Sequence, residues 1–255
     1  MAGISHAGSG SSALSDPVDE ARRVLAIAAE ASVGLQVMGG VAVRLRCRSA
    51  EAPPLARPYG DIDYAGRSSD SAAIARLFSA AGYQPDPEFN ALHGRNRLSF
   101  WDMENQREAD VFLDTFRMCH SLDFRDQLTL DEHTLPLRTL LLFKLQVVET
   151  NDKDYKDALA LLADHTPEAG SLDAESIASF LARDWGWWRT VTLMLERLPD
   201  YAGQVDGLHR MAQIRANIEA ITDAIDRAPK SRRWKVRAKV GERMRWYEQP
   251  DEAHS

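Results

Sequence analysis

The spacing of hydrophobic residues changes near residue 130 of the chain. Before that point, short apolar runs of strand length alternate with stretches of helical period, and after it the periodic segments all have helical spacing. The pattern therefore predicts an α/β (α+β) half over residues 17–130 and an all-helical half over residues 131–250. Residues 1–16 are rich in Gly, Ser and Ala without any periodicity, which predicts a disordered tail.

Turn-forming residues separate the predicted elements of the first half. Asp16 and Pro17 suit the cap and the first position of a helix, and the polar stretch 102–108 predicts an antiparallel hairpin between its flanking strands. Helices are predicted over residues 17–32, 41–48 and 69–81. Strands are predicted over residues 35–38, 61–65, 97–101 and 109–113. Together these elements predict a mixed sheet with flanking helices.

The second half shows the longer periodic segments. Helices are predicted over residues 137–150, 152–164, 174–183, 187–198, 205–227 and 234–246. The last of these segments is ambiguous: Val236, Val240 and Met244 recur at helical spacing, while a strand with Trp234, Val236 and Ala238 inward also fits.

A basic run with interleaved tryptophan occupies residues 230–245. It contains eight Lys and Arg residues against the single acid Glu242. Such a run suits the phosphates of RNA or of a nucleotide, and it equally suits a solvated face or ion pairs with acids elsewhere in the chain.

Composition narrows the class of protein. The chain has 255 residues and a formal net charge of −7, which argues against a surface that coats nucleic acid as a whole. No apolar run approaches the roughly 18 residues of a membrane span, and no leader with a basic and then an apolar region is visible. Cys47 and Cys119 lie far apart in sequence, so we expect reduced thiols in a cytoplasmic protein without a membrane partner.

The candidate chemistry begins with two aspartates in one predicted strand. Because side chains alternate along a strand, Asp61 and Asp63 share a face while Ile62 and Tyr64 point into the core. Two carboxylates about 4 Å apart repel by about 4 kcal/mol at an effective dielectric of 20, and a divalent cation reverses the sign of that interaction. Asp110 opens a second strand, and three carboxylates can hold two metal ions for displacement at phosphorus.

A glycine turn supplies the complementary element. Gly39 and Gly40 follow a short strand and precede a helix, so backbone N–H groups and the helix N-terminus can bind phosphate oxygens. Either motif alone is common by chance. The order of strand, Gly-Gly, helix, Asp-x-Asp strand and hairpin aspartate is what favours a nucleotide site.

These motifs resemble the nucleotidyltransferase superfamily that shares the polymerase-β palm. The closest resemblance is to the branch of AbiEii-like abortive-infection toxins and their uncharacterised bacterial relatives. The matching segments are VMGGVA at 37–42, RPYGDIDY at 57–64, ADVF at 109–112, LLLFKLQ at 140–146 and DKDYKD at 152–157.

The resemblance implies a palm domain over residues 17–130 and a helical C-terminal domain over 131–250. It implies that the three acids hold Mg²⁺, two ions in all, and that the two glycines bind the triphosphate of an NTP. The residues implied to hold metal are Asp61, Asp63 and Asp110. Those implied to bind nucleotide are Gly39, Gly40, Lys144, Lys153, Asp154 and Asp157.

Two of the basic candidates also have ordinary structural interpretations. Lys144 lies in an apolar helix, so it needs an anionic partner, which could be triphosphate, Asp154 or Asp157, unless it reaches the surface. Arg57 precedes the Asp-x-Asp strand and could bind phosphate or be a solvated loop charge.

The function predicted from the sequence is transfer of a nucleoside monophosphate from an NTP to a hydroxyl. The acceptor could be tRNA, a protein side chain or a small alcohol. A toxin with a cognate antitoxin as partner is a further role. The alternative function is a catalytically degenerate palm that binds nucleotide or RNA without chemistry.

Overall fold

The structure is a computed structural model, and it describes residues 13–249. Most of the predicted tail, residues 1–12, lies outside the described residues. The residues that follow are hydrogen-bonded: Arg107 donates to the carbonyl oxygens of Leu14 and Ser15, and Asn105 donates to that of Ala13.

Helices and strands alternate in the first half of the chain, and helices predominate after residue 136. The helices are α1 Pro17–Glu30, α2 Gly39–Arg46, α3 Ser71–Ala80, α4 Pro87–His93, α5 Leu137–Leu145, α6 Asp152–Asp164, α7 Ala174–Leu181, α8 Trp185–Gly203, α9 Met211–Arg227 and α10 Arg232–Val240. The strands are β1 Leu35–Met38, β2 Asp61–Gly66, β3 Gln84–Pro85, β4 Arg97–Asp102, β5 Arg107–Leu113, β6 Thr115–Arg117 and β7 Ser121–Asp123. Within the described chain, none of these helices is both long and apolar enough to cross a membrane.

The chain forms two compact units that interleave along the sequence. Unit 1 consists of residues up to 37, 59–114 and 128–133, and unit 2 of residues 38–58, 115–127 and 134 onwards. The predicted domains, 17–130 and 131–250, are each continuous in sequence, whereas each of these units consists of several segments.

Unit 1 contains the five-stranded sheet, whose strand order is β1-β2-β5-β4-β3. β2 and β5 are parallel, whereas β4 is antiparallel to both β5 and β3, so the sheet is mixed. Its hydrophobic face packs against α1 and α3 around three aromatic rings: Phe78 stacks on Phe100 at 4.4 Å between centroids and meets Tyr64 edge-on at 5.4 Å. This packing leaves the other face of β2 and β5 to polar side chains.

Unit 2 contains α2, α5 to α10 and the hairpin β6-β7. Its core forms where the leucine-rich α5 packs against α6 and α8, and α9 packs against α6 and α7. Along α6, every residue from Asp157 to Ala163 is buried. The predicted α/β class, with a mixed sheet and a helical second half, is confirmed.

Several predicted boundaries are wrong for identifiable local reasons. α5 ends at Leu145 and not at 150, because Asn151 caps α6 and a capping residue needs a non-helical backbone. α9 begins at Met211 and not at 205, because Gly207 and Arg210 adopt positive φ angles of 73° and 67°, which a helix does not admit.

The tryptophan helix and the basic run also differ from expectation. α8 is longer than predicted at both ends, since Asp184 caps it at the N-terminus and Pro199 is accommodated within it. The basic run forms the helix α10, so the strand interpretation is wrong, and the helix ends at Val240 because Gly241 takes a φ of +61°. The elements missed from sequence are α4 and the strands β3, β6 and β7; those strands are too short to show a period.

Candidate functional site

Four carboxylates line one face of two neighbouring strands in unit 1. The register of the parallel pair sets Asp63 beside Asp110 and Asp61 beside Glu108. Partners in adjacent strands point to the same side and lie about 4.8 Å apart along the hydrogen-bonding direction. Ile62 and Tyr64 occupy the opposite face and are fully buried, as the alternation of β2 predicts. The structure therefore brings together the three acids that the sequence singled out.

The sequence analysis missed the fourth acid, although its signal was present. Glu108 precedes Asp110 by two residues in β5, which is the same alternation that pairs Asp61 with Asp63. Its carboxylate accepts a hydrogen bond of 3.1 Å from the hydroxyl of Ser99 on β4. Glu108 thus extends the acidic face by one residue on the β5 side.

Arg97 was not predicted, and it is the counter-ion of this face. Its guanidinium forms an ion pair with Oδ2 of Asp110 and lies 4.0 Å from Oε1 of Glu108. The rings of Phe89 and Phe112 lie against it at 5.2 and 5.1 Å. The sequence gives no such partner, because Arg97 is brought to the site by the antiparallel pairing of β4 with β5.

The environment of Asp110 raises the cost of its negative charge. Burial raises the pKa of Asp110 above its ordinary value, and the negative charge of Asp61 acts in the same direction. The Arg97 guanidinium opposes this shift without cancelling it. Burial and the neighbouring Asp110 also raise the pKa of Glu108. Such shifts are typical of clustered acids in functional sites.

The carboxylates of β2 and β5 are chemically suited to bind magnesium. Within residues 13–249, no three Asp, Glu, His or Cys side chains are arranged as the shell of a metal ion, and Arg97 holds one oxygen of Asp110. The chemistry nevertheless fits, because carboxylate oxygens are the ligands that Mg²⁺ prefers. Oδ1 of Asp110 is buried without a hydrogen-bond partner among residues 13–249, and a cation would satisfy such an atom.

A second charged cluster lies in unit 2 and joins four of the predicted residues. Nζ of Lys144 lies 2.9 Å from Asp157 and 3.3 Å from Asp154. Arg57 binds both oxygens of Asp157, at 2.9 Å through Nε and 2.7 Å through Nη2. Arg57 is therefore a buried ion-pair partner and not a solvated loop charge. Lys153, which was predicted with this group, is exposed on α6.

The charge of Lys144 is fixed by its neighbours. Burial disfavours the ammonium form, but the carboxylates of Asp157 and Asp154 outweigh burial and raise the pKa of Lys144. The pairing with these two aspartates is the structural interpretation that the sequence left open. Two cations against two acids make the cluster electrically balanced, so an anionic ligand here would have to compete with Asp154 or Asp157 for Lys144.

The glycine pair opens α2 in unit 2. Gly39 has a φ of +65°, which favours glycine, and the residue before it, Met38, offers no side-chain cap to the first turn. Since Met38 does not cap that turn, its N–H groups are candidates for anion binding at a helix N-terminus.

Comparison with known proteins gives little beyond the residues themselves. No family model matches the sequence, and no curated protein matches it. Among solved structures, the chain is similar to the antibiotic-resistance factor ANT(2'')-Ia, whose solution structure reveals substrate-regulated conformation dynamics. The similarity covers 82% of this chain and 94% of that chain, with 10% sequence identity and a TM-score of 0.36. A likeness at that level says nothing about the substrate or activity of this chain.

Proposed function

We propose that the protein is a magnesium-dependent nucleotidyltransferase with a polymerase-β-like palm in unit 1. The observation that carries the proposal is the register of β2 with β5, which places Asp63 beside Asp110 and Asp61 beside Glu108. A clustered acidic face with one buried, unsatisfied oxygen is costly unless a cation neutralises it. Among the residues described, Arg97 meets part of that need, and the exposed Asp61 is left for a further cation.

The residue roles follow from their environments. Asp61, Asp63 and Asp110 would hold Mg²⁺, which supplies neutralisation of phosphate charge. Asp110, whose pKa is raised by burial, takes the proton of the acceptor hydroxyl. The hydroxyl oxygen forms a bond to the α-phosphorus of the NTP as the bond to pyrophosphate breaks. Arg97 balances the charge of Asp110 when no ligand is bound.

The sequence resemblance adds phosphate-binding residues that belong to unit 2, and their role is proposed from that resemblance alone. Gly39 and Gly40 offer the uncapped N–H groups of α2, and Lys144 offers an ammonium group whose pKa is raised. Arg57 holds Asp157 and thereby orients it beside Lys144. Lys153 is exposed and would contact only the outer phosphates or the solvent around them.

The test is label transfer from each α-labelled NTP in the presence of magnesium. The acceptors are total tRNA, a protein extract and small alcohols, and the variants are Asp61→Asn and Asp63→Asn. We expect labelled product with the unaltered protein and a loss of at least about 100-fold in both variants. Asp19→Asn, an exposed acid of α1 in the same unit, is the matched control and should transfer at the unaltered rate.

A specific observation favours the alternative of a palm that binds without chemistry. Arg97 already forms an ion pair with Asp110, and among the described residues no three acidic, His or Cys side chains are arranged to hold a metal ion. If this alternative holds, equilibrium dialysis detects binding of NTP to the protein, while no acceptor receives label. NTP binding without product for any NTP and acceptor would therefore favour a binding module over an enzyme. The absence of both binding and product would contradict both functions.

The biological role is proposed from the sequence resemblance. A toxin that modifies tRNA or a protein in the cytoplasm would arrest growth on expression, and Asp63→Asn would relieve the arrest. A cognate antitoxin would relieve it without any change in the chain. Normal growth with abundant active protein would contradict the toxin role and leave the transfer activity unaffected.

A further inference from the structure

A cavity in unit 2 uses none of the residues assigned above. It has a volume of about 450 Å³ and is formed by three parts of the chain: residues 119–121 beside β7, the start of α8 at 183–187, and α10 with the segment 245–248 that follows it. A volume of this size is in the range of pockets that hold small organic ligands.

Aromatic side chains form much of the cavity wall. Trp185 and Trp187 are buried at the start of α8, whereas Trp234 and Trp246 are only partly covered. Trp246 meets Trp185 edge-on with 6.0 Å between centroids. The indole Nε1 of Trp234 is buried without a hydrogen-bond partner among the described residues. Arg237 covers Trp185 and His120 stacks on Trp187, so the partly exposed rings of Trp234 and Trp246 are the ones that a ligand in the cavity can contact.

Four arginines line the same cavity, and none of them forms an ion pair with an acid among the described residues. Arg237 donates to the carbonyl oxygens of Gly241 and Met244 and stacks over Trp185 at 4.6 Å, so it is part of the wall. The exposed side chains of Arg183 and Arg233 have no carboxylate within 4.0 Å in the part of the chain described.

The other charged or titratable groups on the wall do not cancel this charge. The two acids on the wall are Asp184, whose Oδ1 accepts two backbone hydrogen bonds at the start of α8, and the exposed Glu248, so four arginines stand against two carboxylates. His120 is neutral near pH 7, since burial lowers its pKa to about 4. Cys119 is buried with a raised pKa, so it also carries no charge. Arg245 adds a fourth cation, over the ring of Tyr247 at 5.1 Å.

We propose that this cavity binds one nucleotide unit, with its base against the tryptophan rings and its phosphate on Arg183 and Arg233. Stacking on aromatic rings and charge-assisted hydrogen bonds from guanidinium groups are the two interactions by which proteins hold unpaired nucleotides. The unit is either a free nucleotide or part of a single-stranded RNA. No residue of the proposed transfer site takes part, so the inference stands independently of that function.

The experiment is a titration followed by tryptophan fluorescence in EDTA, which removes any cation-dependent binding. The probes are AMP and a single-stranded octamer of adenylate, with an eight-base-pair RNA duplex as the control whose bases are already stacked. We expect AMP or the octamer to quench the fluorescence in a saturable way, and the duplex to bind at least about tenfold more weakly.

Matched variants locate the binding. Arg183→Gln and Arg233→Gln should each weaken binding at least about tenfold, as expected for loss of a charge-assisted hydrogen bond. Arg232→Gln removes an exposed arginine of α10 that does not line the cavity and should change affinity less than about twofold. Trp234→Phe keeps an aromatic ring with a smaller area for stacking, and we expect a loss of about two- to tenfold.

Each outcome is decisive. Equal binding of AMP and the octamer supports a free nucleotide as ligand, and binding of the octamer alone supports single-stranded RNA. The proposal is overturned if neither probe binds at millimolar concentration, or if Arg233→Gln and Arg232→Gln bind the probe equally well while both keep the unaltered thermal transition.

Discussion

At the scale of the residue, burial decides which ion pairs contribute to stability. Arg57 and Asp157 are 10% and 2% exposed, and their pair is bidentate. Arg44 and Glu51 form a pair of 2.9 Å that is 27% and 52% exposed. Water screens the second pair more than the first, so loss of one partner costs more stability in the first.

The consequence can be measured with two substitutions of the same chemistry. Arg57→Met should lower the free energy of unfolding by about 3 kcal/mol, since Asp157 keeps only Lys144 as a cationic partner. Arg44→Met should cost less than about 1 kcal/mol. Urea unfolding checks both, and equal costs would show that the Arg57 pair is no better shielded than the surface pair.

His120 makes stability depend on pH. Its ring is stacked on Trp187 with Nε2 at 2.8 Å from the Thr190 hydroxyl, and burial lowers the pKa to about 4. Between about pH 6.5 and pH 4, the unfolded chain binds a proton at this residue while the folded chain does not. Stability from this group is therefore complete above pH 6.5 and falls by about 3 kcal/mol as the pH drops to 4.

The variant His120→Gln isolates that contribution. The difference in free energy of unfolding between the unaltered protein and the variant should become smaller as the pH falls from 6.5 to 4, in the direction worked out above. Urea unfolding at half-unit pH steps gives the curve. A difference that stays constant over this range would mean that His120 titrates alike in the folded and unfolded chains.

At the scale of the element, the segment 245–248 is packed against the first turn of α8. A Cβ atom on Gly186 would lie 2.7 Å from the carbonyl oxygen of Trp246, so this helix position needs glycine for the close approach. In the same helix, Gly203 has no other atom within 4 Å of such a Cβ. An alanine at Gly203 would therefore change only helix propensity, whereas an alanine at Gly186 would also disturb the contact with Trp246.

Gly186→Ala should displace the segment that contains Trp246, in spite of the better helix propensity of alanine. We expect faster tryptic cleavage after Arg243 and Arg245 and a lower melting temperature. Gly203→Ala should instead raise stability by up to about 1 kcal/mol, with unchanged cleavage. Limited proteolysis with mass spectrometry distinguishes them, and equal cleavage rates would show that the segment does not rely on this contact.

At the scale of the whole molecule, two compact units are made from interleaved stretches of one chain. Unit 2 contains both cysteines, Cys47 and Cys119, which are free and buried. Burial raises the pKa of each thiol, and the charge of Asp164 acts in the same direction on Cys47. Both thiols are therefore much less reactive in the folded unit than in the unfolded chain.

Reaction with an aromatic disulfide reagent reports the opening of unit 2. In the folded protein we expect both thiols to react at least about a hundredfold more slowly than in the unfolded chain. Because one unit encloses them, the two should become reactive over the same range of urea concentration, with two equivalents in full denaturant. Separate ranges would show that unit 2 opens in parts.

The sequence alone determined the elements whose signal is local. Alternation in 61–65 predicted β2 with its acids and its core residues on opposite faces, and Asp16 caps α1 as its position predicted. These features depend on neighbours within one turn or one strand, so the order of residue types specifies them.

Only the tertiary structure decided which distant residues meet. The register of β2 with β5 put Asp63 beside Asp110, and the pairing of β4 with β5 brought Arg97 onto Asp110. Arg57 found Asp157 across 100 positions of sequence. No local pattern encodes such contacts, because they depend on the way in which many elements pack together. That packing also sets the charge of each site.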